Sequence, residues 1–300
     1  MRRSIRLLLA VVIGLAVGGL LAILIVAYGA LHVPERIQPR LEAAASVAGE
    51  TGAAWRDVKE TAADGVVLDG WLFTPPTPYD ALVLLLHGVA DTRMGMLGHA
   101  AFLLRSGFAV LLPDSRSHGA SGGNLITYGV KEADDVRRWT DWAFREQRMR
   151  RLYGAGASMG ASILLESLPK EPRFRAVVAE CPFATFEEVS YARLRQISGL
   201  PRAPLWPVVK LGFLYTRLRY RVDLRQASPA NALRSTNIPV LLIHGTADEN
   251  IPFRHSQELH DANPAATKLW AVEGAGHVEA LSRNPDAYRR AVVDWFDFHR

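Results

Sequence analysis

The sequence of 300 residues predicts an α/β fold in which helices cover both faces of a mostly parallel sheet. Short, continuous apolar runs recur along the chain, and such runs are typical of strands that are buried on both faces. Segments with helical periodicity separate most of these runs. Strands that alternate with helices form right-handed crossovers, and this arrangement gives an open parallel sheet.

The segment Trp55–Pro75 predicts two short strands that turn at Ala63-Asp64-Gly65, because Asp-Gly between strands favours a hairpin. Further strands are predicted at Ala81–Leu86, Phe108–Leu112, Leu152–Gly156, Ala176–Ala179, Val240–Ile243 and Leu269–Val272. Helices are predicted at Leu97–Arg105, Val130–Arg145, Met159–Leu168, Arg254–Ala262 and Pro285–His299.

The run Leu7–Ala30 contains no charged residue. About twenty apolar residues suffice to span a bilayer as a helix. The run exceeds the roughly 7 to 15 apolar residues of a signal peptide, and no clear cleavage site follows it. We therefore expect residues 1–33 to form an N-terminal transmembrane anchor, with a cleaved signal peptide as the alternative. The arginines that precede the run predict a single-pass protein of the cell membrane whose main domain is extracytoplasmic.

The remaining chain is expected to comprise a linker at 34–54 and one domain at 55–300. Within this domain, the long interval 183–236 between two predicted strands indicates a helical cap. Arginines and aromatic residues alternate in the cap, and they either contact anionic lipid or keep amphipathic helices solvated.

The net charge of +5 includes three arginines ahead of the apolar run, so the domain is nearly balanced in charge. This balance argues against a nucleic-acid-binding protein. Cys181 is the single cysteine, so the chain has no intramolecular disulfide, and we expect Cys181 to be a small buried residue.

The predicted strand Leu152–Gly156 leads through Ser158 into a helix, in the pattern Gly-x-Ser-x-Gly. A serine on a strained strand-to-helix turn needs neighbours without side chains, and Gly156 and Gly160 meet this need. The helix start also brings backbone NH groups and a partial positive charge near the serine. Ser158 is therefore the candidate nucleophile.

A serine nucleophile needs a general base, and the base needs a residue that orients it. In strand-turn-helix sites of this kind, the acid and the histidine follow the serine in the chain, each in a loop after a later strand. Asp248 follows the strand Val240–Ile243 and is the candidate acid, with Glu249 as its rival. His277 follows the last strand and is the candidate base.

The oxyanion hole is expected to use the backbone NH groups of Val89 and Met159, one after the early His87-Gly88 strand end and one after the nucleophile. His87 and His244 each precede a glycine at a strand end, and we expect both to be structural. This chemistry requires no metal and no organic cofactor.

The chain resembles the α/β-hydrolase superfamily over roughly Trp55–His299, and it is similar to prokaryotic serine aminopeptidase-like and acylglycerol-lipase-like hydrolases. The resemblance implies the triad Ser158, Asp248 and His277 and the oxyanion donors Val89 and Met159. Ser117 departs from the glycine usual in its loop, and Ala157 from the histidine that many lipases carry. The matching segments are Leu86-His87-Gly88, Pro113-Asp114-Ser115-Arg116-Ser117-His118-Gly119, Gly156–Gly160, His244-Gly245-Thr246-Ala247-Asp248 and Gly276-His277.

These residues predict a serine hydrolase that cleaves a carboxylic ester or a related acyl bond through an acyl-enzyme on Ser158. The expected substrate is a small-molecule or lipid-like acyl compound. An aminopeptidase or amidase would use the same triad, and a non-catalytic binding protein on this fold is a third possibility, although all three triad residues are present.

Overall fold

The structure is a computed structural model that describes residues 14, 18, 19, 21, 23–33, 35–146 and 149–300. Its sheet contains the strands β1 (Ala54–Thr61), β2 (Val67–Thr74), β3 (Ala81–Leu86), β4 (Ala109–Pro113), β5 (Arg151–Ala157), β6 (Phe174–Glu180), β7 (Val240–Gly245) and β8 (Thr267–Val272). The strand order is β1-β2-β4-β3-β5-β6-β7-β8. Strand β2 runs antiparallel to β1 and β4, and the other neighbouring pairs are parallel. The predicted α/β-hydrolase fold with a mostly parallel sheet is confirmed.

The helices that follow residue 40 are α1 (Leu41–Thr51), α2 (Leu97–Arg105), α3 (Glu132–Glu146), α4 (Met159–Ser167), α5 (Phe186–Ser198), α6 (Arg202–Tyr220), α7 (Pro229–Leu233), α8 (Arg254–Ala262), α9 (Ala280–Arg283) and α10 (Pro285–Phe298). Short 3₁₀ turns lie at Arg93–Met96 and Leu224–Gln226. The predicted bounds of α2 and α8 coincide with those observed.

Apolar side chains on the two faces of the sheet form two separate cores. All six residues of β3 are buried. Successive side chains of a strand point to opposite faces, so Leu82 and Leu84 pack in the core that contains α4, whereas Val83 and Leu85 pack in the core that contains α2 and α10. The continuous apolar run at Ala81–Leu86 is explained by this burial on both faces.

Helix α1 lies inside the segment 34–54 that the sequence analysis treated as a linker, and eleven residues of that segment are helical. Alanine and glutamate favour a helix, and the buried side chains of Ala44 and Val47 attach it to the core. The helix ends at Gly52, which has a φ of 68° and donates a hydrogen bond to the carbonyl of Ala48.

The predicted membrane anchor is also wrong. Of the span Leu7–Ala30, residues 7–13, 15–17, 20 and 22 lie outside the described residues. Among the residues that are described, no helix combines the length and the apolar character needed to cross a bilayer. This finding overturns the single-pass cell-membrane localisation with an extracytoplasmic domain. Residues 23–31 are helical, and Ala27 and Leu31 are buried, so part of the apolar run serves packing within the protein.

Helices α5, α6 and α7 occupy the interval predicted as a cap, between β6 and β7. A third apolar cluster joins α5 and α6, and it includes Phe186, Leu205 and Phe213 together with Leu31. Three cations of the cap form ion pairs with nearby acids, namely Arg202–Glu188, Lys210–Glu187 and Arg225–Asp223. The third cluster therefore holds the cap against the segment at residues 23–31.

Candidate active site

Ser158 occupies the turn between β5 and α4, with φ 53° and ψ −117°. This backbone conformation is strained for a residue with a side chain. A Cβ atom on Gly156 would lie 2.6 Å from the carbonyl carbon of Gly160, and a Cβ atom on Gly160 would lie 2.3 Å from the carbonyl oxygen of Leu86. Only glycine fits at these two positions, so the motif is a steric requirement of the turn.

The three predicted triad residues lie together at the carboxyl ends of the parallel strands. His277 Nε2 is 2.9 Å from Ser158 Oγ, and His277 Nδ1 is 2.7 Å from Asp248 Oδ2. Glu249, the rival acid, is exposed to solvent. The structure thus brings Asp248 to the histidine and points the imidazole at the serine.

Asp248 is held as a carboxylate by several donors. Its Oδ1 atom accepts hydrogen bonds of 2.9 Å from the backbone NH groups of Asn250 and Ile251. Burial alone would raise the pKa of Asp248, but hydrogen bonds from His244 and His277 outweigh it and bring this pKa well below its usual range. The side chain is therefore ionised at neutral pH and able to stabilise a positive imidazolium.

His244 makes the contact that the sequence analysis missed. Its Nε2 atom lies 2.8 Å from the carbonyl oxygen of Ile251 and 3.2 Å from Asp248 Oδ2. Because a carbonyl only accepts, Nε2 carries the proton, and Nδ1 accepts from the hydroxyl of Ser256 at 2.6 Å. The four-residue spacing of His244 and Asp248 across the strand-end turn is the signal that could have indicated their contact.

The loop that carries His277 is anchored to β6 and approaches β7 closely. A Cβ atom on Gly245 would lie 2.2 Å from the carbonyl oxygen of Ala275. The backbone NH of Ala280 donates to Glu180 Oε1 at 3.2 Å, and the hydroxyl of Tyr288 donates to Glu180 Oε2 at 2.8 Å. These contacts fix the loop, and with it the imidazole, over the sheet.

Cys181 is buried, as expected, and its Sγ atom accepts a hydrogen bond from the backbone NH of Val278. Burial raises the pKa of this thiol. Cys181, His244 and Asp248 lie within 4.8 Å of one another and offer a possible metal-ligand set. However, both nitrogens of His244 are already hydrogen-bonded, and the thiol is protonated. These donors fit a hydrogen-bonded support for the triad better than a metal site.

The loop after β3 is shaped by two buried histidines. His87 Nδ1 donates to the carbonyl of Gly88, and His87 Nε2 accepts the backbone NH of Ser115 at 3.0 Å. His118 Nε2 accepts the backbone NH of Ala90 at 3.2 Å. Burial lowers the pKa of both rings, to about 4 for His118. Neutral imidazoles therefore position the loop, which agrees with the structural role expected for His87.

The predicted oxyanion donors share a cavity with Ser158. Val89 and Met159 both line the cavity that contains Ser158 and His277. Met159 is the first residue of α4, and the first NH groups of a helix have no partner within the helix. Among the described residues, no hydrogen bond from the NH of Val89 is present.

A cavity of about 760 Å³ adjoins the triad. This volume lies within the range of roughly 300 to 1,000 Å³ that small-molecule sites occupy. Most of the lining side chains are apolar, and the cap supplies several of them, including Val189, Leu194, Val209 and Phe213. The site therefore combines a hydrogen-bonded triad with a large apolar pocket.

Comparison with known proteins places the fold in a family. The model of the alpha/beta hydrolase family matches residues 83–291. This chain belongs to the alpha/beta hydrolase family. The hydrolase is similar to the uncharacterized protein YqkD of Bacillus subtilis, with 30% identity over 73% of each chain, and to the uncharacterized protein YfhR of Escherichia coli K12, with 29% identity over 79% of each chain.

Among solved structures, this alpha/beta hydrolase is similar to the esterase Pf2001 of Pyrococcus furiosus. The two chains are 25% identical, their TM-score is 0.71, and the match covers 88% of this hydrolase and 98% of the esterase. The hydrolase is thus similar to an esterase over most of both chains.

Proposed function

We propose that this hydrolase cleaves a carboxylic ester, or a related acyl bond, of a small-molecule or lipid-like acyl substrate. The observation that carries the proposal is the chain of hydrogen bonds from Asp248 through His277 to Ser158, with distances of 2.7 and 2.9 Å. The reaction would pass through an acyl-enzyme on Ser158.

In the first step, Ser158 Oγ attacks the carbonyl carbon while His277 Nε2 accepts the hydroxyl proton. The carbonyl oxygen of the substrate becomes an oxyanion, and Asp248 stabilises the imidazolium that forms. The intermediate then collapses, the bond to the leaving group breaks, and His277 returns the proton to the departing alcohol. The acyl group remains on Ser158.

In the second step, a water molecule attacks the acyl-enzyme, and His277 Nε2 accepts one of its protons. Collapse of the second tetrahedral intermediate releases the carboxylic acid, and the proton returns to Ser158 Oγ. The same three side chains therefore serve both halves of the reaction.

The backbone NH groups of Val89 and Met159 are the proposed donors to the oxyanion. Their position in the lining of the cavity beside Ser158 supports this role. A donor of this kind contributes about 3 to 4 kcal/mol to the stability of the transition state. His87 and His118, which hold the loop after β3, would keep the NH group of Val89 in this position.

Labelling with a fluorophosphonate tests the nucleophile. Ser158 Oγ should displace fluoride from phosphorus, and Ser158→Ala should abolish the label. Ser190 also lines the cavity and offers a matched control, because Ser190→Ala should leave labelling intact. Persistent labelling of folded Ser158→Ala would move the nucleophile elsewhere.

Turnover of p-nitrophenyl esters from acetate to palmitate, alongside aminoacyl p-nitroanilides, tests the reaction. Ester hydrolysis supports the proposal, whereas preferential release of nitroaniline would identify an aminopeptidase or amidase that uses the same triad. Absence of both labelling and turnover in folded protein would point to a non-catalytic binding protein.

A further inference from the structure

The helical segment at residues 23–31 precedes the domain and is fixed to it by hydrogen bonds. The hydroxyl of Tyr128 donates to the carbonyl of Ala30 at 2.6 Å, and the backbone NH of Ile126 donates to the carbonyl of Leu31 at 2.9 Å. The side chain of Leu31 is completely buried in the apolar cluster of the cap. This segment therefore belongs to the packed structure.

One face of the same segment lines the cavity of the candidate active site. Ile23, Val26, Ala27 and Ala30 contribute to a lining that also includes Ser158 and His277. Their spacing of three and four residues places them along one side of a helix. Ile25, in contrast, is 70% exposed and does not line the cavity.

Helix α6 of the cap meets this face at small residues. Gly212 and Ala27 both line the cavity, and a Cβ atom on Gly212 would lie 3.7 Å from the Cβ of Ala27. Because Gly212 and Ala27 are small, helix α6 and the segment at residues 23–31 can approach closely, and space remains in the cavity beside these two residues. A larger side chain at position 27 would enter this room or displace the helix.

We propose that residues 23–31 form a wall of the substrate pocket and that Ala27 and Val26 set the size of the apolar group that the pocket accepts. The inference rests on the proposed function for the identity of the ligand as an acyl substrate. The wall lies outside residues 83–291, which match the family.

Substitutions in the full chain test the wall. We expect Ala27→Phe to lower kcat/KM for long-chain p-nitrophenyl esters about tenfold relative to the acetate ester, because an added apolar group occupies the space of substrate methylenes. Val26→Ala enlarges the cavity and should shift the optimum toward bulkier esters. Ile25→Phe is the matched control on the exposed face and should leave the profile unchanged.

A change of the ester chain-length profile in Ala27→Phe and Val26→Ala, but not in Ile25→Phe, supports the proposed wall. The direction of the change does not matter, because the phenylalanine at position 27 either fills the cavity or displaces the helix. The proposal is overturned if Ala27→Phe slows all esters equally and Val26→Ala behaves like Ile25→Phe. Thermal unfolding of each variant identifies any loss of fold.

A binding measurement separates this inference from the proposed function. A dansyl-labelled undecanoic acid should bind the full-length Ser158→Ala protein, and Ala27→Phe in that background should weaken binding about tenfold whereas Ile25→Phe should not. If Ala27→Phe alone weakens probe binding and fluorophosphonate does not label the wild type, the hydrolytic function is refuted and the wall proposal stands. Labelling without any effect on ester profile or probe binding would refute the wall alone.

Discussion

His244 Nε2 lies 3.2 Å from Asp248 Oδ2, the same oxygen that lies 2.7 Å from His277 Nδ1. The carboxylate is thus held between two histidines, of which only His277 reaches Ser158. His244 is completely buried, and Ser256 and Ile251 fix its ring. We therefore expect His244 to act as a positioning residue for Asp248, the proposed acid of the triad.

We expect His244→Ala to lower kcat about 10- to 100-fold with little change in KM, because Asp248 loses a charge-assisted donor worth roughly 1.5 to 3 kcal/mol. His244→Gln places an amide NH near the original Nε2 and should recover most of kcat. Steady-state kinetics with a p-nitrophenyl ester measures both. The half-buried His260 contacts Thr267 instead, and His260→Ala is the control that should leave kcat unchanged. Equal kcat in His244→Ala and wild type would refute the positioning role.

Replacement of the two neighbouring acids distinguishes their roles. Asp248→Asn should lower kcat by roughly 10³- to 10⁴-fold, because a neutral amide neither holds the reactive tautomer of His277 nor stabilises the imidazolium. Glu249→Gln should leave kcat within a factor of about two, because this side chain is exposed. Single-turnover rates of ester hydrolysis provide the comparison, and the reverse ranking would reassign the acid to Glu249.

Ser117 adopts a φ of 65°, and its buried hydroxyl has no hydrogen-bond partner among the described residues. A left-handed conformation costs a residue with a Cβ about 1 to 2 kcal/mol, and glycine removes this cost. Glycine also loses more conformational entropy on folding than serine does, which offsets part of the stabilisation. We expect Ser117→Gly to raise the free energy of unfolding by ~0.5 to 1 kcal/mol, measured by urea denaturation. Ser115→Gly, at a position without a positive φ, should lower it.

The pH dependence of stability follows from His118. Burial, assisted by the neighbouring His87, lowers the pKa of His118 from 6.5 to about 4. The unfolded chain binds a proton below pH 6.5 that the folded protein binds only near pH 4. The stabilising contribution is therefore complete above pH 6.5 and declines as the pH falls toward 4, by at most about 3 kcal/mol.

His118→Gln retains an acceptor for the NH of Ala90 but does not titrate in this range. We expect the free energy of unfolding of this variant to depend less steeply on pH between 4 and 6.5 than that of the wild type, although His87 and His255, whose pKa values are also lowered, still contribute. Parallel slopes for the two proteins would contradict the assignment.

Local patterns predicted the strands of the sheet and the turn at Ser158 well, because burial and turn sterics are encoded by residues close in sequence. The six apolar residues of β3 and the glycines around Ser158 report burial and sterics directly. The contact of His244 with Asp248 was missed because glycine-flanked histidines at strand ends are equally compatible with a purely structural role.

The N-terminal apolar run was misinterpreted for a different reason. Hydropathy shows that side chains avoid water, but it does not show whether lipid or protein covers them. Ala27 and Leu31 are covered by protein. Helix α1 was missed because its short, weakly amphipathic sequence follows prolines that favour a linker, and its attachment through Ala44 and Val47 depends on distant partners.

The chain carries one cysteine, and Cys181 is only 1% exposed with a thiol whose pKa is raised by burial. Thiolate is the species that reacts with maleimides. The native protein therefore serves as an unreactive background for site-directed labelling. An Ile25→Cys substitution would place a single reactive thiol on the outer face of the pocket wall, and a fluorophore there would report whether residues 23–31 move away from the cap during turnover.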